Sequence, residues 1–180
     1  MTPPQPGERA PKFRLASDDG TTATLADFAG KWLALYFYPR DNTPGCTLEA
    51  RDFSGLTLQL QKRGAVVVGV SKDSVQSHGT FREKVGIRFP LLSDPDLSAH
   101  RAYGTWGPKV LYGRKFEGTI RSTFLISPDG HIVRTWTGVK VNGHAAKVLE
   151  AVREAQEAPA ETQTKPRPRV TAKKKKPARS

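Results

Sequence analysis

Residues 32–63 place a buried strand, a tight turn and a helix end to end, and the chain's single cysteine falls at the junction. Trp32-Leu33-Ala34-Leu35-Tyr36-Phe37-Tyr38 is apolar at every position, which fits a strand covered on both faces. Pro39-Arg40-Asp41-Asn42-Thr43-Pro44-Gly45 then breaks the run. Leu48 to Arg63 carries Leu48, Phe53, Leu56, Leu58 and Leu60 with no internal proline, and reads as a helix. Thr43 suits the N-cap and Pro44 the first helical position, where its missing N–H is no loss. Cys46 therefore falls in the first turn, beside unpaired backbone N–H groups and the positive end of the helix dipole. That environment favours a thiolate.

The elements that follow extend the pattern. Gly64 ends the helix, and Ala65-Val66-Val67-Val68-Gly69-Val70 is the β-branched run of a buried parallel strand, completing a βαβ unit. Ser74 caps a helix over 75–85 that Gly86 stops. Residues 89–92 read as a strand and 97–103 as a short helix. Thr123–Ile126 and His131–Trp136 flank Ser127-Pro128-Asp129-Gly130 as a hairpin, and Asn142 reads as the cap of a last helix over 143–157. At the N-terminus, residues 12–16 and 21–25 pair around Asp18-Asp19-Gly20. This order of elements indicates an α/β class with a mixed central sheet flanked by helices.

Pro39-x-x-x-Thr43-x-x-Cys46 resembles the active-site signature of the peroxiredoxins. The longer string FYPRDNTPGCTLEARDF is similar to the bacterioferritin comigratory protein, or peroxiredoxin Q, subgroup. The similarity continues through LLSDPD (91–96), YGTWG (103–107) and RSTFLISPDG (121–130), from about Pro6 to about Glu154. The resemblance implies a thioredoxin-like fold with an N-terminal β-hairpin, over residues 1–158. It implies a thiol peroxidase acting on hydrogen peroxide and organic hydroperoxides through a sulfenic acid on Cys46. Thr43, Arg121 and the backbone N–H groups of Gly45 and Cys46 would hold the peroxide. Arg121 would also favour the thiolate, Pro39 would shield the site, and Glu49, in the pattern Cys-Thr-x-Glu, would join the network as an auxiliary residue.

Ionisation alone is a small part of such chemistry. A free thiol is about 3% thiolate at pH 7, so full ionisation gains at most about thirtyfold. Charge builds on the departing oxygen as O–O breaks, so donors aimed at the peroxide must supply the rest. Relatives in the subgroup carry a second, resolving cysteine at positions that here hold Arg51 or His100. With one cysteine no internal disulfide can form. The implied reductant is an outside thiol such as thioredoxin, glutaredoxin or a low-molecular-weight thiol. A dithiol disulfide reductase lacks its second cysteine here.

His78, His100, His131 and His144 have no ligand spacing, and no phosphate loop appears, so neither a metal nor a cofactor is expected. Trp106, Phe13, Phe37 and Phe81 read as packing. One thiol, and a start (MTPPQPGERAPKF) with no apolar h-region, point to a reducing, cytoplasmic setting without a membrane span. A monomer or weak dimer is expected. The net charge of +12 belongs largely to the end of the chain: residues 163–180 hold eight Lys/Arg and no acid. Residues 159–180 read as a disordered basic tail, open to two readings: a solubilising extension, or a weak, non-specific nucleic-acid arm without stacking aromatics. On the second reading the chain would be a nucleic-acid-associated protein with the folded domain as platform or redox sensor.

Overall fold

The structure is a computed structural model that describes residues 2–158. The expected tail, 159–180, lies outside the described residues. The strands are β1 (Arg14–Ser17), β2 (Thr22–Thr24), β3 (Trp32–Phe37), β4 (Ala65–Ser71), β5 (Leu91–Ser93), β6 (Trp106–Leu111), β7 (Arg114–Thr119), β8 (Ser122–Ile126) and β9 (Ile132–Thr137). The helices are α1 (Pro44–Lys62), α2 (Val75–Val85), α3 (Ser98–Ala102) and α4 (His144–Glu157), with a 3-10 turn over Leu25–Phe28.

Seven strands form one mixed sheet in the order β2-β1-β5-β4-β3-β8-β9. β3, β4 and β5 run parallel, and β8 pairs antiparallel with β3. β3 lies inside the sheet between β4 and β8, every one of its residues is buried, and its alternation feeds two cores. Trp32, Ala34 and Tyr36 face the side of α1 and α4 with Phe53, Phe81, Val148 and Val152. Leu33, Leu35 and Phe37 face the other, with Leu15, Val68, Tyr103 and Phe124. This is the expected thioredoxin-like arrangement, including the N-terminal hairpin β1–β2, which joins the sheet beside β5.

Several elements fall where the local chemistry puts them. α2 is capped by Ser74, whose hydroxyl accepts from the Ser77 N–H, and stops at Gly86 in the left-handed region, φ 76°. Two expectations are corrected. Thr43 occupies the N-cap of α1 but makes no side-chain cap bond. The cap of α4 is Gly143, at φ 74°, rather than Asn142. Within α1, Phe53 and Leu60 are buried, whereas Leu48 and Leu58 are exposed, because only part of the helix circumference meets the sheet and α4. β6 and β7 form a separate two-stranded ribbon leading into residue 121.

Candidate active site

The loop leaving β3 delivers Cys46 to the first turn of α1, where the residue is almost wholly buried, at 2% exposure. The first helical bond runs from the Thr47 N–H to the Thr43 carbonyl, 2.9 Å. Pro44 has no N–H, so Gly45 and Cys46 hold the two amides ahead of that bond, free to serve as anion donors. Arg121 enters from the crossing between β7 and β8. Its Nη2 donates to Cys46 Sγ at 3.3 Å, and its Nη1 donates to Glu49 Oε2. Gly45 makes this approach possible, since a Cβ there would lie 3.3 Å from Arg121 Nη2.

Glu49 is buried, and its second oxygen, Oε1, has no hydrogen-bond partner. Burial lifts its carboxyl to about 7, against the pull of the Arg121 guanidinium. Burial works against the charge on Arg121, yet the charges of Glu49 and Cys46 and their hydrogen bonds raise its pKa above the ordinary value. Thr43 turns its hydroxyl to the Arg40 carbonyl, 2.9 Å, in place of capping the helix. The hydroxyl proton is committed there, so the lone pairs of Oγ1 remain as acceptors. Pro39 is half-buried at the start of the loop and has no donor of its own to offer.

The sequence-expected residues Cys46, Gly45, Glu49 and Arg121 therefore come together by direct contact. Thr43 and Pro39 lie on the loop that leads to them. Three neighbours were not visible in the sequence. Tyr36 of β3 is buried, its hydroxyl without a hydrogen-bond partner, and feels the charges of Glu49, Cys46 and Arg121. Lys109 of β6 donates to the Thr119 carbonyl at 2.9 Å, and burial together with the charge of Arg121 lowers its pKa. His144 pairs with Thr123 Oγ1 at 2.7 Å, and burial, with help from Lys147 and Arg121, pushes it down to about 4, so its imidazole is neutral.

The scattered histidines are also more organised than their spacing implies. His78 sits on Asp41 at 2.8 Å and His100 on Asp94 at 2.7 Å, all four buried. Among the described residues, Asp41, Asp73 and His78 present potential cation ligands within 4.8 Å of one another. Oxygens of both acids and both ring nitrogens of His78 are already hydrogen-bonded within the protein. Trp106 packs edge-on against His100 at 6.0 Å between ring centres, and Phe13, Phe37 and Phe81 are core, as expected. An apolar groove of about 470 Å³ near Phe13, Phe28, Leu33 and Ile126 lies at the other end of β3, away from the sulfur.

Residues 6–135 match the model of the AhpC/TSA family. Peroxiredoxin Bcp of Xanthomonas campestris is 49% identical over 139 residues, spanning 77% of this chain and 87% of that protein. A putative peroxiredoxin bcp of Helicobacter pylori is 47% identical over 146 residues, 81% of this chain and 96% of the relative. A solved structure of the X. campestris bacterioferritin comigratory protein, described for its alkyl peroxide reduction activity, superposes with a TM-score of 0.75. It is 47% identical and the match covers 79% of this chain and 90% of that one.

Proposed function

This chain belongs to the AhpC/TSA family, with peroxiredoxins Bcp among its relatives, and from that footing we propose that it is a single-cysteine thiol peroxidase with Cys46 as nucleophile. The observation that carries the reading is the contact of Arg121 Nη2 with Cys46 Sγ, which places a fixed cation against the only sulfur that can react.

In the first step the Cys46 thiolate attacks the terminal oxygen of a hydroperoxide. An S–O bond forms, the O–O bond breaks, and the alkoxide or hydroxide leaves with the bonding pair and takes up a proton. Thr43 Oγ1, with its own proton on Arg40, accepts the peroxide O–H and so orients the attacked oxygen. Arg121 and the Gly45 and Cys46 amides face the charge that grows on the departing oxygen, a preorganised arrangement of donors. Glu49 holds Arg121 in this pose. In the second step an external thiol displaces hydroxide from the sulfenic acid to give a mixed disulfide and water. A second thiol then releases Cys46. No resolving cysteine exists in the chain to replace the external thiol.

The test is peroxide consumption by the purified protein supplied in turn with thioredoxin, glutaredoxin with glutathione, and dithiothreitol. At least one must support turnover with both hydrogen peroxide and an alkyl hydroperoxide. Cys46→Ser, a change of one atom at a buried site, should fold and lose the activity entirely. Residual turnover in that variant rules out Cys46 as the nucleophile.

A further inference from the structure

Asp41 lies two residues ahead of Thr43, is buried, and takes no part in the chemistry above. Three side chains converge on its carboxyl group. Tyr38 Oη donates to Oδ1 at 2.6 Å, Ser77 Oγ donates to Oδ2 at 2.8 Å, and His78 Nδ1 meets Oδ2 at 2.8 Å. The other ring nitrogen, His78 Nε2, stands 3.0 Å from the Leu92 carbonyl, which can only accept. Nε2 therefore carries a hydrogen. Burial opposes charge on this imidazole, but the bond to Asp41, its charge, the Leu92 carbonyl and Asp73 together raise the His78 pKa above the ordinary value. With Nδ1 on Asp41 and Nε2 on the Leu92 carbonyl, His78 ties β5 to the loop through its two nitrogens.

The backbone completes the connection. The Asp41 N–H donates to Asp73 Oδ2 at 2.9 Å, and that same oxygen accepts from Ser71 Oγ at 2.6 Å. The Asp41 N–H and the Arg40 carbonyl belong to one planar peptide unit. Fixing the N–H fixes the carbonyl, and the carbonyl is the group that holds the Thr43 hydroxyl at 2.9 Å. Asn42 turns the chain between them at φ 63°. A path of hydrogen bonds therefore runs from α2 and the β4–α2 loop to the oxygen that faces the peroxide.

We propose that Asp41 and His78, with Asp73 on the same peptide, are positioning residues that hold the Thr43 hydroxyl as an acceptor for the peroxide O–H. The proposal rests on Cys46 being the peroxide-reactive group. His78→Gln and His78→Asn separate it from a purely structural role. A glutamine amide reaches the position of Nε2 and keeps the Leu92 bond but drops Asp41. An asparagine amide occupies the position of Nδ1 and keeps Asp41.

The measurement is a pair of second-order rate constants for reduced Cys46, one with hydrogen peroxide and one with iodoacetamide, whose attack needs no help from Thr43. His78→Gln should slow the peroxide reaction about ten- to a hundredfold, as expected for a displaced orienting group, while alkylation stays within about twofold. His78→Asn should keep the peroxide rate within about threefold. Ser77→Ala, at a half-buried position, should show the same split at about threefold and serves if His78→Gln does not fold. Equal peroxide rates in wild type and Ser77→Ala overturn the proposal. So does a parallel fall of both reactions, or His78→Asn falling as far as His78→Gln. A wild-type peroxide rate no faster than that of a free thiol overturns the peroxidase reading instead, which is a distinct outcome.

Discussion

Removing Arg121 should damage stability and activity by two routes that pH and a second mutation can separate. In the folded protein Glu49 has its pKa lifted from 4.5 to about 7, so native protein keeps a proton that unfolded chain has already released over that range. Below pH 4.5 neither state is ionised and the group contributes nothing to the pH dependence. From 4.5 to 7 stability falls by ~1.4 kcal/mol per pH unit, about 3 kcal/mol in all, and above 7 the contribution is level. Arg121→Ala takes away the bond to Oε2 from a carboxylate whose Oε1 already has no partner. The native pKa must then rise further, and the decline must continue beyond pH 7.

Breaking a buried ion pair costs ~3–5 kcal/mol when the remaining charge is uncompensated. In Arg121→Ala Glu49 escapes most of that penalty by staying protonated, so the pH-dependent loss at pH 8.5 is capped at the 1.5 pH units above 7, about 2 kcal/mol, and vanishes at pH 5.5, where Glu49 is neutral with or without Arg121. For a domain of this size that is a Tm offset of roughly 4–8 °C, present at pH 8.5 and absent at pH 5.5. The melts belong in a Cys46→Ser background, so that no thiol titrates. Glu49→Gln added to Arg121→Ala should restore stability at alkaline pH without restoring chemistry. With Cys46 present, the peroxide rate of that double variant should stay down about 10²–10³-fold, the typical loss for one transition-state donor. An offset equal at both pH values refutes the account of Glu49. A double variant with near wild-type peroxide rate refutes the role of Arg121.

Two further outcomes follow from glycines with crowded surroundings. Gly45→Ala should leave the melting temperature nearly unchanged but slow peroxide attack about tenfold, because its Cβ would meet Arg121 Nη2 at 3.3 Å and move the guanidinium off the sulfur. Unchanged kinetics would mean that Arg121 accommodates the methyl without consequence. Gly69→Ala should lower stability by ~1–3 kcal/mol in urea titration: its Cβ would lie 2.9 Å from Leu91 Cδ2 and 3.0 Å from the Tyr36 ring and hydroxyl, both buried with no room to yield. A loss under about 0.5 kcal/mol would show that the core there repacks.

The parts legible in the sequence are those governed by local rules. A run of seven apolar residues, a proline at the first helical position, and the Ser74 and Gly86 caps all act within a few residues of themselves, and β3, α1 and α2 appear where those signals put them. Cys46, Gly45, Glu49 and Arg121 could be named because the resemblance supplied them, yet spacing alone would not have joined residues 46 and 121. The ribbon β6–β7 was not assigned from sequence. Gly107, Pro108, Gly113 and Gly118 interrupt its alternation, and its tip is exposed, so burial writes no period into it. His78 and His144 look scattered in the sequence because each is satisfied by a partner far along the chain: Asp41 for His78, Thr123 for His144. Helix caps were misread for a related reason. Thr43 has a competing acceptor in Arg40, and Gly143, in the left-handed region, takes the cap position expected of Asn142.

The burial of Cys46 sets the tempo of the proposed cycle. With Cys46 2% exposed the site admits small molecules such as hydroperoxides, but the thiol of a protein partner cannot come within bonding distance while the first turn of α1 stays wound. Oxidation and re-reduction therefore run on separate clocks, one set by collision and the other by how often that turn unwinds. Raising the reductant concentration should carry turnover only to a ceiling, and the height of that ceiling is the opening rate of a single helical turn.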